Sequence, residues 1–414
     1  MKFNKWTVAL AAVGVVSFAS AAKAEEKSSS SVLTALSSTT ISGYVDTSME
    51  WNPGNGNAYV PPYRFNSPNK ADGFNLDVVQ LTIEKALDEQ DWAAGYRVDL
   101  WFGPDANYLK TTSTGLNTSD FGIRQAYVAL RAPVGNGLDF KVGVFDSIIG
   151  YESIDASKDP NFTRSYGNTI EPQTATGVLM SYRFCDWFSA SAGVANTVGP
   201  QINQRAFGAS SSVLVPYGPD SETYKSWMGS LALTAPDSWG FLAGSTLYGG
   251  GVCGYDSNVT YNAPTLTPVG KGPFYPGANL SSWYVGSTLA TPIKELRLGV
   301  AWDWLDISDW PGRTWAIGGY ASLQATEKLS FHARAEYLDD AGHVLFAAPT
   351  SHVLDLSLTA QYDLWKNVIT RLEFRWDRSL DDTDAFGGTS TAPIFGGPSS
   401  ADAYLLALNI IYKF

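Results

Sequence analysis

From residue 39 to the C-terminus the chain repeats one arrangement. Apolar and polar side chains alternate over a run of about 11 to 15 residues, and a connection follows that is either very short or long. Alternation of period 2 places unlike residues on the two faces of an extended strand, whereas a helix would repeat near 3.6. The pattern predicts strands over 39–51, 73–87, 91–103, 121–132, 137–147, 174–184, 187–198, 222–235, 238–252, 280–291, 294–307, 313–325, 328–339, 351–363, 366–378 and 401–414, about sixteen in all.

The connections narrow the architecture. Short ones fall at 88–90, 133–136, 185–186, 236–237, 292–293, 326–327 and 364–365, and between them lie eight longer segments rich in Gly, Pro, Asn, Ser and Thr. Short turns on one rim and long loops on the other are the pattern of an outer-membrane β-barrel, and an even strand number returns both termini to the short-turn rim. Closure pairs every backbone group in hydrocarbon and leaves no edge. The expected fold is therefore all-β, a transmembrane antiparallel barrel of about sixteen strands.

Individual strands carry the two faces such a wall needs. In the last one, Tyr404, Leu406, Leu408, Ile410, Tyr412 and Phe414 form an apolar stripe with aromatics at both ends. In 366–378 one face reads Val368, Thr370, Leu372, Phe374 and Trp376, and the other carries Arg371, Glu373, Arg375 and Asp377. In 328–339 the polar face carries His332, Arg334 and Glu336. A soluble sandwich would use the same alternation the other way round, so one strand decides nothing; sixteen with alternating connection lengths do. Tryptophans are expected in two interfacial belts, Trp92, Trp187, Trp239 and Trp365 near the short turns and Trp51, Trp101, Trp227, Trp283, Trp302, Trp304, Trp315 and Trp376 toward the long loops. Sugar stacking is the competing use of an exposed tryptophan.

Composition agrees with export and excludes several partners. Residues 1–24 have a signal-peptide form: Lys2 and Lys5, an apolar run from Trp6 to Phe18, then Ala22-Lys23-Ala24 before a cleavage point. The run is short of the roughly 20 residues of a membrane anchor. Residues 25–38 read as a polar periplasmic lead and 39–414 as the barrel. The net charge of -12 makes a nucleic-acid partner improbable, because phosphate binding needs a basic face. Two cysteines rule out a disulfide scaffold. Cys185, in a short turn, and Cys253, near a long loop, are expected on opposite rims and therefore unpaired with each other.

These residues resemble a known family, the OmpL-like porin-2 β-barrels of bacterial outer membranes. The resemblance runs over essentially the whole mature chain. It is densest where 137–147 leads into Gly150-Tyr151-Glu152, through Asp159-Pro160-Asn161-Phe162-Thr163-Arg164-Ser165-Tyr166 to Gly177, and again at Arg334-Ala335-Glu336-Tyr337 and Leu372-Glu373-Phe374-Arg375-Trp376-Asp377. Asn196-Thr197 departs from the Asn-Gly that the family commonly shows there. The resemblance implies an outer-membrane porin passing small hydrophilic solutes and ions, surrounded by outer-membrane lipid, with a homo-oligomer as an analogy only. Terminal Phe414 is similar to the signal through which such barrels meet the assembly machinery.

By analogy with general porins, the third long connection, Ile148 to Gln173, is expected to fold into the lumen. Its acids, Glu152, Asp155 and Asp159 among them, would then face wall arginines. The expected pore-lining and constriction set is Glu152, Asp155, Asp159, Arg97, Asp99, Arg124, Arg334, Glu336, Arg371, Glu373 and Arg375. The alternative is that this connection only caps the mouth. Acids outnumber bases over the long connections, so a weak cation preference is expected.

Other chemistry finds little support. Gly249, Gly251 and Gly254 match a nucleotide-binding fingerprint in letters, but a Pro- and Asn-containing loop follows instead of a helix. The three histidines form no zinc motif, and no catalytic residues, cofactor or metal are assigned. His332 with Ser330 and Glu336 could be imagined as a hydrolase site in a barrel wall; a lumen histidine is the simpler reading. Asp381, Asp382 and Asp384 lack the spacing of a dedicated calcium loop. An outer-membrane enzyme and a surface-binding or scaffolding barrel with a plugged lumen remain the rival classes.

Overall fold

The computed structural model describes residues 38–54, 56–112, 119–206, 223–256, 279–308, 310, 312–391 and 396–414. The signal segment 1–24 and nearly all of the lead 25–38 lie outside the described residues. Sixteen strands form one closed antiparallel barrel in which each strand pairs with its sequence neighbours and the last returns to the first. They are β1 (Thr40–Trp51), β2 (Phe74–Lys85), β3 (Ala94–Phe102), β4 (Phe121–Ala132), β5 (Leu138–Asp146), β6 (Thr174–Cys185), β7 (Phe188–Ala195), β8 (Ser226–Thr234), β9 (Thr246–Tyr255) and β10 (Asn279–Ala290). The wall continues with β11 (Leu296–Ile307), β12 (Thr314–Gln324), β13 (Leu329–Asp340), β14 (His352–Trp365), β15 (Val368–Ser379) and β16 (Asp402–Lys413). Among the described residues, two α-helical turns interrupt the long connections, α1 (Ala106–Leu109) and α2 (Tyr166–Ile170).

The seam between β1 and β16 runs in register from Tyr44 opposite Lys413 to Trp51 opposite Leu406. Gly43 and Phe414 exchange both backbone hydrogen bonds at 3.0 Å, so the last residue locks the barrel shut. Side-chain parity then sorts the residues. Leu372, Phe374, Leu406, Leu408 and Ile410 are exposed on the outer face, while Arg371, Glu373, Arg375 and Asn409 are buried inside. With lipid outside, an apolar exterior and a charged interior satisfy both media at once.

Two expectations are corrected. The β8–β9 connection is longer than its predicted Pro236-Asp237, because Asp237–Leu242 forms a 3₁₀ turn and β9 starts only at Thr246. Pro236 has no N–H to give to a ladder, and Gly240 and Gly244 adopt φ of 63° and 78°, where a side chain is unfavourable. Trp239 and Phe241 mimicked strand alternation in the sequence and are exposed, 61% and 57%. Trp101, expected in the outer belt, is 1% exposed, and its indole donates to Gln80 Oε1 at 2.7 Å. The β3–β4 register shifts between Asp99 and Leu100, with Arg124 the extra residue on β4, and Trp101 shares the inner face with Arg97 and Asp99.

Candidate functional site

The charged wall is laid out by cross-strand register. Pairing of β13 with β14 sets Arg334 opposite Ser357 and Glu336 opposite Asp355. Pairing of β14 with β15 sets Asp355 opposite Asp377, Ser357 opposite Arg375 and Thr359 opposite Glu373. Asp355 accepts Arg334 Nε at 2.6 Å and lies 3.3 Å from Arg375 Nε, so one carboxylate bridges two guanidiniums. Arg375 also holds Asp377 at 2.7 Å. Each of these groups is 2% exposed or less. Unpaired, any of them would be costly to bury.

The connection between β5 and β6 crosses the lumen to this wall. Ile148 and Ile149 are buried in an apolar cluster with Phe145, Leu179, Met228 and Tyr248, all contributed by the wall of β5 to β9. Tyr151 stacks on Tyr320 of β12 with ring centroids 4.1 Å apart. Glu152 meets Arg334 Nη1 at 2.9 Å. The Ala156 carbonyl accepts Arg371 Nη2 at 2.9 Å, and its N–H donates to Tyr44 Oη of β1 at 3.3 Å. Asn161 donates to Thr359 at 2.7 Å. Glu373 accepts from the N–H groups of Phe162 and Thr163 at 2.6 and 3.0 Å, and from the Thr163 hydroxyl at 2.5 Å.

Ser165 caps α2 by accepting from Asn168 N–H at 2.9 Å, the ordinary signature of a helix start. Glu336 accepts the N–H groups of Tyr166 and Gly167 at 2.6 and 2.7 Å, and Tyr166 Oη donates to Asp377 at 2.6 Å. Its apolar side, Tyr166 and Ile170, buries against the main apolar cluster. The loop is thus amphipathic in place: isoleucines against one arc of wall, polar backbone against the other.

Of the expected loop acids only Glu152 bonds a wall arginine. Asp155 pairs with Lys158 at 3.3 Å and Asp159 with Arg164 at 3.0 Å, both within the loop. Burial raises Asp155, but Lys158 and Arg124 outweigh it and hold its carboxyl below the usual range. Burial wins at Asp159, which is pushed up to about 7 despite Arg164. Arg97 stays on its own wall with Asp99 and Glu84 at 3.0 and 3.3 Å. Arg124 bonds Asp146 and lies over Trp101, 5.9 Å from the ring centroid. Arg375 stacks on Tyr63 of the first connection at 3.9 Å. Asp377, which the sequence puts on the charged face of its strand, and the loop residue Arg164 fall outside the expected set, and no role is expected from sequence for Asp355, Asp303, Tyr44 or Tyr63. Inward parity flags the strand members; nothing local marks Tyr63.

The family model described as "Putative beta-barrel porin-2, OmpL-like" matches residues 38–263 and 279–414. This chain belongs to that porin family. No curated protein matches it in sequence. Among solved structures, an anion-selective porin from Comamonas acidovorans aligns at 12% identity and TM-score 0.56 over 91% of this chain and 99% of the other. The outer-membrane channel DcaP of Acinetobacter baumannii aligns at 10% and 0.55 over 91% and 97%. OmpT of Vibrio cholerae aligns at 12% and 0.53 over 92% and 100%. The likeness to these three is one of fold, and the family places this porin in the bacterial outer membrane as a channel.

The remaining sequence candidates find other places in this porin. His332 bridges two serines, Ser330 at 3.0 Å and Ser322 at 2.9 Å, while Glu336 is occupied by the loop amides. Asp381 accepts Ser351 N–H, His352 N–H and His352 Nδ1 at 2.6, 2.8 and 2.7 Å, and Asp382 pairs with Arg378 at 3.0 Å. Gly249, Gly251 and Gly254 all lie within strand β9. Cys185 ends β6 at a short turn and Cys253 lies near the long-loop end of β9; both are free thiols.

Proposed function

We propose that this porin is a passive diffusion channel for small hydrophilic solutes, narrowed by the β5–β6 connection and weakly cation-preferring. The observation that carries the reading is the passage of residues 148–171 through the lumen, bonded to β1, β13, β14 and β15. A segment held on opposite arcs reduces the free cross-section to what lies beside it. Tyr127, Ser181 and Ser191 are partly exposed on the inner face and edge that space, with Lys141 4.9 Å from the Tyr127 ring centroid. Hydroxyl-rich edges suit hydrated solutes, and no reacting group is required for diffusion.

The charge preference follows from how the groups pair. The arginines of the constriction, Arg334, Arg371, Arg375 and Arg164, are committed to carboxylates or backbone carbonyls. The fields of Arg334, Arg375 and Arg164 are therefore compensated locally by carboxylates, Arg371 alone of the four donating to neutral oxygens, and the acidic long connections set the sign at the mouth. Exposed charge is screened beyond roughly 8 Å at physiological salt, so the preference is weak. Reversal potentials across a KCl gradient test it: a small cation preference that fades in strong salt is expected, and clear anion selectivity would overturn it.

Phe414 is 44% exposed at the short-turn rim with its backbone closing the seam, which suits recognition of a C-terminal aromatic by the assembly machinery. Lipid covers the outer aromatic and aliphatic face. A homo-oligomer is part of the reading, with its subunit number left to mass measurement in detergent.

A further inference from the structure

The return of the third loop to the wall places two acids together. Glu171 follows α2 and is 5% exposed; Asp303 projects inward from β11 and is 4% exposed. The two carboxyl groups lie within hydrogen-bonding reach of each other, a contact that is favourable when one of them holds a proton. Two glycines clear the space. A Cβ at Gly150 would lie 2.3 Å from Glu171 Oε2, and one at Gly167 would lie 2.5 Å from Asp303 Oδ2.

We propose that Glu171 and Asp303 form a proton-sharing latch that fastens the third loop to the barrel wall and loosens as the medium becomes alkaline. This deepens the channel reading above and rests on it. The groups facing the pair are Glu152 of the same loop, Arg64 of the first connection and Tyr284 of β10, with Glu336 of β13 beside Gly167. Arg64 donates to the Glu171 backbone carbonyl at 2.9 Å and supplies the positive charge there. The acids around it keep that one guanidinium from stabilising two carboxylates at once. Burial, then Asp303, pushes the Glu171 carboxyl well above the usual carboxylate range.

The sign follows from proton linkage. A carboxyl raised in the docked loop and ordinary in the released one takes up a proton on docking. Docking then weakens by about tenfold per pH unit, from the ordinary carboxylate range up to the docked value, and is constant beyond it. When the shared proton leaves to solvent, two neighbouring buried anions repel and the loop departs from β11 while the barrel ladder stays intact.

Amide hydrogen exchange of residues 160–171 in the detergent-folded porin, corrected for the chemical rate at each pH, reads the latch directly. Single-channel conductance over the same pH series reads its consequence. Protection should fall by up to about tenfold per pH unit as the solution is made alkaline, and mean conductance should rise with it. Asp303→Asn keeps a hydrogen bond and removes the charge repulsion but leaves Glu171 buried, so its protection should fall less steeply with pH than that of the unmodified porin; Glu171→Gln gives the same test should the first variant misfold. Protection that is pH-independent in the unmodified porin, or a pH response that persists undiminished in both variants, overturns the latch. Absence of conductance at every pH would instead overturn the channel reading, and exchange would still judge the latch.

Discussion

Replacing Arg334 with methionine should release the third loop without opening the barrel. The guanidinium donates to Asp355 at 2.6 Å, to Glu152 and to the Thr163 carbonyl at 2.9 Å, to the Thr163 hydroxyl at 2.9 Å and to Ser357 at 3.0 Å. Its side chain is 0% exposed, as is that of Asp355, and Glu152 is at 2%, so solvent screens none of these pairs. Removing one partner of a buried, hydrogen-bonded pair costs about 3–5 kcal/mol, mostly because the other charge is left behind. The lower figure corresponds to a shift of over a hundredfold in the docking equilibrium. Asp355 retains Arg375 at 3.3 Å, so the loss falls mainly on Glu152 and the loop.

Heat-modifiable gel mobility would establish that Arg334→Met remains a folded barrel. Single-channel conductance should then rise, and amide protection over 152–166 should drop. A second change, Glu152→Gln, should restore part of the docking, because the stranded anion is gone; contacting pairs couple by about 0.5–3 kcal/mol. A folded Arg334→Met with unchanged conductance and unchanged protection would refute the view that this arginine holds the loop.

Deleting residues 155–166 should raise conductance and relax size exclusion in solute-flux assays, and a folded deletion with an unchanged pore removes the constriction assignment. Tyr166→Phe leaves Asp377 without one donor, so protection of α2 should fall by the equivalent of about 1–3 kcal/mol in hydrogen exchange; equal protection in both forms would deny the bond to Asp377 any role. At Asp381, burial raises the carboxyl, but His352 and the amides of Ser351 and His352 hold it below its ordinary value. A depressed carboxylate stabilises above the ordinary aspartate range and loses that contribution as pH falls through the depressed value. Protection of 351–352 should therefore weaken in acid and become insensitive to pH in Asp381→Asn. Non-reducing mass mapping should find no bridge between Cys185 and Cys253.

The barrel was legible because each of its demands is local. A lipid-facing strand must alternate, and Leu372, Phe374 and Trp376 against Arg371, Glu373 and Arg375 do so within one short run. The β8–β9 turn was not, since Trp239 and Phe241 alternate with small residues as a strand would while standing exposed on a 3₁₀ turn. Trp101 shows the reverse: its parity with Arg97 and Asp99 places it inside, and belt logic set that aside. Inward folding of residues 148–173 was expected from family analogy, but not the way it bonds. Wall carboxylates Glu336 and Glu373 grip loop N–H groups, a pattern that charge counting between side chains does not reveal.

Planar-bilayer conductance of the purified, folded protein, measured in KCl with neutral solutes of graded size added to one side, tests the central claim most directly. Discrete, passive, ohmic openings that smaller hydrophilic solutes enter and larger ones do not are the expected result. A folded, inserted barrel that conducts nothing over the whole voltage and pH range would show a plugged lumen and contradict the channel.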